Sequence, residues 1–126
     1  MDTIDMLQRL FEMDGAIVNT ARSGAEALEI VEREAFDVIL SDISMPVMDG
    51  FEMLRRLRAL PEGREVPVLA LTGFGRTADI ERVKAEGFFS HVTKPVDVAA
   101  LVEILRKLPV RNKADVNGRA EKYIET

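Results

Sequence analysis

The chain has 126 residues, 47% of them hydrophobic and 31% charged, which suits one globular domain with a core of its own. Its formal net charge of −5, with no stretch of Lys and Arg lacking nearby acids, argues against a general nucleic-acid binder. The lack of cysteine and the single histidine exclude disulfides, thiolate chemistry and multi-histidine metal sites. The longest apolar stretch, 66–71, is too short to span a membrane and no signal peptide is recognisable, so we expect a cytoplasmic domain.

The hydrophobic pattern alternates between helical and strand periods along the chain. The first half of the chain predicts a helix ending near 14–15, a strand over 16–20, a helix opened by the capping box Ser23–Glu26 and a strand up to Asp42. A helix capped by Asp49 and a strand over 66–71 follow. The last predicted elements are a sparsely apolar helix from Thr77, a strand over 88–93 and a helix capped by Asp97 that reaches 108. This alternation, with short connections, predicts an α/β fold with a parallel sheet covered by helices. Residues 109–126 have few apolar side chains, so we expect a linker or frayed tail after a domain spanning 1–108.

Three loops at one edge of the predicted sheet carry side chains suited to phosphoryl transfer. The run 38–40 has the composition of a strand buried on both faces, and chemistry in parallel sheets gathers beyond the carboxyl ends of the strands. Asp42, Thr72 and Lys94 follow three such strands. A carboxylate can attack phosphorus, a lysine can offset the added charge and a hydroxyl can donate to a phosphoryl oxygen.

Each of these residues also has an ordinary structural interpretation. A strand-end aspartate is most often a turn former or helix cap, Thr72 alone would be a loop threonine, and Lys94 alone would be a solvated lysine. Asp49 is expected to be an N-cap, and His91 a packed or half-exposed ring on a strand. The coincidence of three such groups on consecutive strand ends favours the functional interpretation.

The chain resembles the receiver domains of two-component response regulators, most of all those attached to hybrid histidine kinases. The resemblance covers residues 1 to about 108 and depends on three motifs: Asp42-Ile-Ser-Met-Pro-Val-Met-Asp-Gly50, Leu71-Thr-Gly73 and Thr93-Lys-Pro95. It implies a flavodoxin-like, doubly wound parallel sheet with strand order 2-1-3-4-5.

The resemblance also implies a role for each matching residue. Asp42 would be the phosphoacceptor, and Mg²⁺ would lie between it and the phosphoryl group. Thr72, Lys94 and His91 would bind the phosphoryl group and act in the switch. Asp42 and the backbone carbonyl of Ser44 would bind the metal, and Ser44 and Phe74 would tune dephosphorylation. Gly50 and Pro95 would have structural roles, with a cis peptide bond before Pro95.

The sequence departs from the family at its beginning. Receivers start with an apolar strand that ends in two acids, whereas this chain starts inside the expected first helix, where Asp2 and Asp5 cannot replace that pair. We therefore expect an N-terminally truncated receiver that lacks the first strand and binds Mg²⁺ weakly. Three explanations compete. The chain could be a fragment of a longer receiver, it could take a strand from another copy or from its own tail, or it could be a degenerate receiver that no longer binds metal. We favour the fragment, because residues 110–116 lack alternation and an acidic pair, which makes the tail a poor strand donor.

The predicted function is that of a phosphoacceptor signalling domain. A histidine kinase or histidine phosphotransfer protein would phosphorylate Asp42, and a downstream partner or fused output domain would respond; a homodimer or strand exchange is a further expectation. The domain would catalyse at most its own phosphorylation and dephosphorylation. The alternative is a pseudo-receiver that binds partners independently of phosphorylation. A haloacid-dehalogenase-type hydrolase is disfavoured, because such enzymes have a second aspartate where this chain has Ser44.

Overall fold

The structure is a computed structural model that describes residues 8–10, 12–13, 17–44, 47–73, 77–108 and 122–125. Its elements are β1 (Ile17–Thr20), α1 (Gly24–Arg33), β2 (Val38–Asp42), α2 (Gly50–Ala59), a 3-10 turn (Pro61–Gly63), β3 (Val68–Thr72), α3 (Thr77–Glu86), β4 (Ser90–Thr93), α4 (Val98–Arg106) and β5 (Lys122–Glu125). Helical backbone over 8–10 and 12–13 agrees with the predicted first helix, whose other residues lie outside the described ranges. Within the described ranges, no helix has the length and apolar character needed to cross a membrane.

The described strands form one five-stranded sheet in the order β1-β5-β2-β3-β4, and every pair is parallel. Successive residues of β2 point to opposite faces: Ile39 joins a cluster with residues of α1, α2 and α3, while Val38 and Leu40 join a cluster with Leu101 of α4. The predicted α/β architecture, with apolar layers on both faces of a parallel sheet, is confirmed. It places the ends of β2, β3 and β4 side by side at one edge.

Residues 122–125 lie between β1 and β2, which is the place of the first strand in the family order. No strand precedes β1 in the ranges that the structure describes. The expectation that the tail is a poor strand donor was therefore wrong. It rested on 110–116, whereas the strand forms further along, where Tyr123 and Ile124 favour extended backbone. Without β5, both neighbouring strands would leave backbone groups unpaired beside a buried core, which is costly.

Three helices begin at the caps that the sequence predicts. The Ser23 hydroxyl accepts from the N–H of Glu26 at 3.2 Å, and an Asp49 carboxylate oxygen accepts from the N–H of Glu52 at 2.9 Å. The Asp97 carboxylate accepts two N–H groups of the first turn of α4, at 3.0 and 3.3 Å. These local bonds satisfy donors that a helix leaves unpaired, so the helix starts follow directly from the sequence.

Polar and aromatic contacts join α3 to α2. Val83 is the side chain of α3 that the apolar core buries most deeply among those described, at 1% exposure. The Arg82 guanidinium lies 3.8 Å from the centre of the Phe51 ring, and Arg55 forms an ion pair with Glu86 at 3.0 Å. Helix α3 thus has the sparse apolar face that its sequence predicts, supplemented by a cation–π contact and a surface ion pair.

Candidate functional site

The Asp42 carboxylate is held from two sides at the carboxyl end of β2. Its Oδ2 atom forms an ion pair with Lys94 Nζ, and its Oδ1 atom accepts the backbone N–H of Ser44 at 2.8 Å. The side chains of Asp42 and Lys94 are 23% and 32% exposed, so the pair lies at the protein surface and is partly accessible to solvent. The structure therefore brings together the carboxylate and the cation that the sequence predicts.

Thr72 reaches the same edge from β3 and is 1% exposed. Its hydroxyl donates to Thr93 Oγ1 across an oxygen–oxygen distance of 3.4 Å, and its carbonyl accepts the backbone N–H of Lys94 at 2.8 Å. Sequence reasoning assigned no role to Thr93. The signal that could have found it is the register, because Thr72 and Thr93 are direct partners in the parallel β3–β4 pair.

Gly50 lets the backbone turn tightly under the phosphoacceptor candidate. Its N–H donates to the Ile43 carbonyl at 3.2 Å, and a Cβ atom at this position would lie 2.8 Å from the Asp42 carbonyl oxygen and 2.8 Å from Ile43 Cα. Three residues earlier, Val47 has a φ of 68° and a fully exposed side chain. A β-branched residue in this backbone region is an outlier, so the loop beside Asp42 stores strain.

The other predicted site residues are less closely connected to this centre. His91 lies on β4 opposite Ala70, partly exposed, and within the described ranges no hydrogen bond or ion pair joins it to Asp42. Phe74 lies outside the described residues. The Lys94–Pro95 peptide bond is cis, as the resemblance implies.

The donors around Asp42 are of the chemical kind that binds magnesium. The side-chain carboxylate and the backbone carbonyl of Ser44, which is an exposed residue, would supply oxygen ligands of the kind Mg²⁺ prefers, and water would have to complete an octahedral set. Among the described residues, no three His, Cys, Asp or Glu side chains are grouped so that they could hold a metal. Strand β5 ends with Glu125 in register with Leu40, two positions before Asp42 along β2.

Comparisons with known proteins agree with this geometry. The family model for the response regulator receiver domain matches residues 2–106. A 14.6 kDa protein of Leptolyngbya boryana is 42% identical over 106 residues, which cover 84% of this chain and 81% of that protein. The chemotaxis protein CheY4 of Vibrio cholerae has a TM-score of 0.77 at 32% identity, over 83% of this chain and 88% of that one.

A further similar structure contains a metal. The receiver domain of the sensor histidine kinase PA1611 from Pseudomonas aeruginosa, with a magnesium ion coordinated in its active-site cleft, has a TM-score of 0.72 at 33% identity; the match covers 83% of this chain and 84% of that one. The family match spans nearly all of the patterned sequence, and the fold is the flavodoxin-like sheet expected for it. The chain therefore belongs to the response regulator receiver domain family, the receiver domains of two-component signalling.

Proposed function

We propose that Asp42 is the phosphoacceptor of this receiver domain and takes a phosphoryl group from a phosphohistidine donor. The supporting observation is the pairing of its carboxylate with Lys94 at the end of a buried strand. An Asp42 oxygen would attack phosphorus, and the new O–P bond would form as the bond between phosphorus and the donor imidazole nitrogen breaks. The imidazole would keep the electron pair and take up a proton.

The residues around Asp42 would stabilise the phosphoryl group in complementary ways. Lys94 already contacts one carboxylate oxygen, so its ammonium group would stay close to the site and offset the negative charge that the phosphoryl group adds. The Thr72 hydroxyl would turn from Thr93 toward a phosphoryl oxygen. Mg²⁺, held by Asp42 and the Ser44 carbonyl, would reduce the repulsion between carboxylate and phosphoryl group, with the weak affinity expected from so few protein donors.

The partners follow from this chemistry. The donor would be a histidine kinase or a histidine phosphotransfer protein, and the receiver of the signal a downstream protein or a fused output domain. We propose that the responding surface is formed by β3, β4, α3 and α4. Thr72 is the last residue of β3 and Lys94 directly follows β4, so both would link the phosphoryl group to this surface, and α3 has few buried apolar side chains. His91, on β4 of this surface, would act as the switch residue, while Ser44 and Phe74 would tune dephosphorylation.

The position of β5 also bears on self-association. A second copy could place its own residues 122–125 between β1 and β2, since the same backbone pairing would form in either case. Such an exchange would give a dimer whose mass is readily measured by sedimentation equilibrium. A concentration-independent monomer would reject it.

A pseudo-receiver that acts without phosphorylation is the second candidate, and one observation favours it. Both Asp42 oxygens already have partners, Lys94 and the Ser44 N–H, and the described donors supply only a weak metal site. The responding surface formed by β3, β4, α3 and α4 could then bind a partner, while Asp42 and Lys94 would form a structural ion pair.

Intact-mass measurement after incubation with acetyl phosphate and Mg²⁺ separates the two candidates. Wild type should gain one phosphoryl group, and Asp42→Asn should gain none because the nucleophilic carboxylate is gone. Asp97→Asn is a matched control, since asparagine caps a helix about as well as aspartate and the Asp97 carboxylate accepts the N–H groups of Ala99 and Ala100 in the first turn of α4. An adduct that persists in Asp42→Asn would overturn the assignment, and a folded wild type without adduct at high Mg²⁺ would favour the pseudo-receiver.

A further inference from the structure

The hydroxyl of Thr72 has a defined partner in this structure, and that partner is another hydroxyl. Thr72 is 1% exposed, whereas Thr93 is exposed, and the two residues face each other in the β3–β4 register. The Thr72 hydroxyl donates to Thr93 Oγ1 at 3.4 Å. A buried hydroxyl without an acceptor is costly, so Thr93 stabilises Thr72 in the conformation seen here.

This contact can be broken without moving the backbone. The Thr72 carbonyl accepts the N–H of Lys94 at 2.8 Å, which fixes the main chain of both strand ends while the hydroxyl can still turn about its side-chain torsion. An oxygen–oxygen distance of 3.4 Å is long for a hydroxyl pair, so the bond is weak and its loss is readily offset by a charged acceptor.

We infer that Thr93 is a positioning residue that accepts the Thr72 hydroxyl in the unphosphorylated state and so competes with a phosphoryl group on Asp42 for the same proton donor. The inference rests on the proposed function. The Thr72 hydroxyl has one proton to donate, and it cannot serve Thr93 and a phosphoryl oxygen in full at once. The strength of the Thr93 contact therefore sets how readily the domain responds to phosphorylation.

Replacing Thr93 with valine removes the acceptor and keeps the β-branched shape that suits a strand. The unphosphorylated form then loses a hydrogen bond that the phosphorylated form does not use. The conformational equilibrium of the Thr72 hydroxyl therefore shifts toward the orientation that donates to a phosphoryl oxygen. Because the bond is long, the lower end of the worth of a hydrogen bond applies, which predicts that a phosphoryl mimic binds about two- to threefold more tightly to Thr93→Val. Thr93→Ser keeps the acceptor oxygen and should behave as wild type.

Two measurements on the full chain test the inference. The first is urea unfolding of the unphosphorylated protein as a double-mutant cycle of Thr72→Val and Thr93→Val. Because the two side chains share one bond, the cycle should show coupling, with Thr93→Val less destabilising in the Thr72→Val background. Thr20→Val is the control, since Thr20 is an exposed threonine at the end of β1. Additive effects in the cycle would refute the resting contact, whatever the function of Asp42.

The second measurement is the half-saturating concentration of beryllium fluoride at fixed Mg²⁺, followed by ¹H–¹⁵N spectra. It should fall for Thr93→Val, stay at the wild-type value for Thr93→Ser, and become insensitive to Thr93→Val once Thr72 is valine. Equal or weaker binding by Thr93→Val would overturn the competition. If wild type neither binds the mimic nor gains a phosphoryl group from acetyl phosphate while the unfolding cycle shows coupling, the proposed function fails and the contact is structural only.

Discussion

Replacing Gly50 with alanine should displace the backbone that carries Asp42. The added Cβ would lie 2.8 Å from both the Asp42 carbonyl oxygen and Ile43 Cα, and 3.2 Å from Ile43 Cγ2. Gly24 offers a matched comparison, because each glycine is the first residue of its helix and follows a side-chain N-cap. The three atoms nearest to a Cβ at Gly24 would all belong to methionine side chains, at 3.0 to 3.3 Å.

The magnitude follows from these distances. Non-bonded carbon atoms lie about 3.5 Å or more apart, so relieving the 2.8 Å contact with Ile43 Cα requires a backbone movement of roughly 0.7 Å. Overpacking of this kind costs about 1–3 kcal/mol, and a misplacement of this order at a reacting group predicts roughly a tenfold slower reaction of Asp42. At Gly24 the neighbouring methionine atoms must shift by only a few tenths of an ångström, and any gain in helix propensity is shared by both sites, so the net change at Gly24 should be close to zero.

Urea unfolding and the rate of adduct formation with acetyl phosphate measure the two effects. Gly50→Ala should lose stability and react more slowly, while Gly24→Ala should match wild type in both assays. Equal stability of the two variants would refute the argument that the contact with the Asp42 backbone requires glycine. A destabilised Gly50→Ala that reacts at the wild-type rate would refute the link between this contact and the site.

Three further predictions concern the ion pair, the α2–α3 contact and the tail strand. Lys94→Met should slow adduct formation from acetyl phosphate by about 10²-fold, the usual cost of removing one group that stabilises developing charge, whereas Lys84→Met, on the exposed side of α3, should not. Arg82→Ala should lower the free energy of unfolding by about 0.5–1 kcal/mol through loss of the contact with Phe51, and an unchanged urea midpoint would contradict this. Ile124→Pro should cost more than about 1 kcal/mol because proline cannot donate a bond to the sheet, while Ile124→Val should be tolerated; equal midpoints for the two would argue against β5.

The parts of the fold that depend on neighbouring residues could be predicted from the sequence. Helix starts at Ser23, Asp49 and Asp97 follow from caps that contact N–H groups two or three residues away. The burial of β2 follows from its unbroken apolar run. Asp42 and Lys94 could be placed together for a similar reason, since parallel strands bring their carboxyl ends to one edge.

The remaining features depend on residues far apart in the sequence. The pairing of 122–125 with β1 and β2 is decided by which sheet edges need a partner. Tyr123 and Ile124 favour extended backbone, but a segment of four residues is too short to be predicted as a strand from propensity alone. The Thr72–Thr93 contact needs the register of two strands, which a hydrophobic pattern does not give. The left-handed backbone of Val47 opposes the preference of its own side chain, so propensity predicts the wrong geometry there.

The position of β5 has a consequence for how the protein folds. Val38 pairs with Tyr123, 85 residues further along the chain, and β1 pairs with the rest of the described sheet only through β5. During synthesis, β2 to β4 can associate early, but β1 must wait for residues 122–125 before it gains a neighbour. Such distant pairing closes a large loop late and slows folding. Until that moment the strand that bears Asp42 has one unpaired edge, so a nascent chain exposes a template for aggregation next to the candidate site.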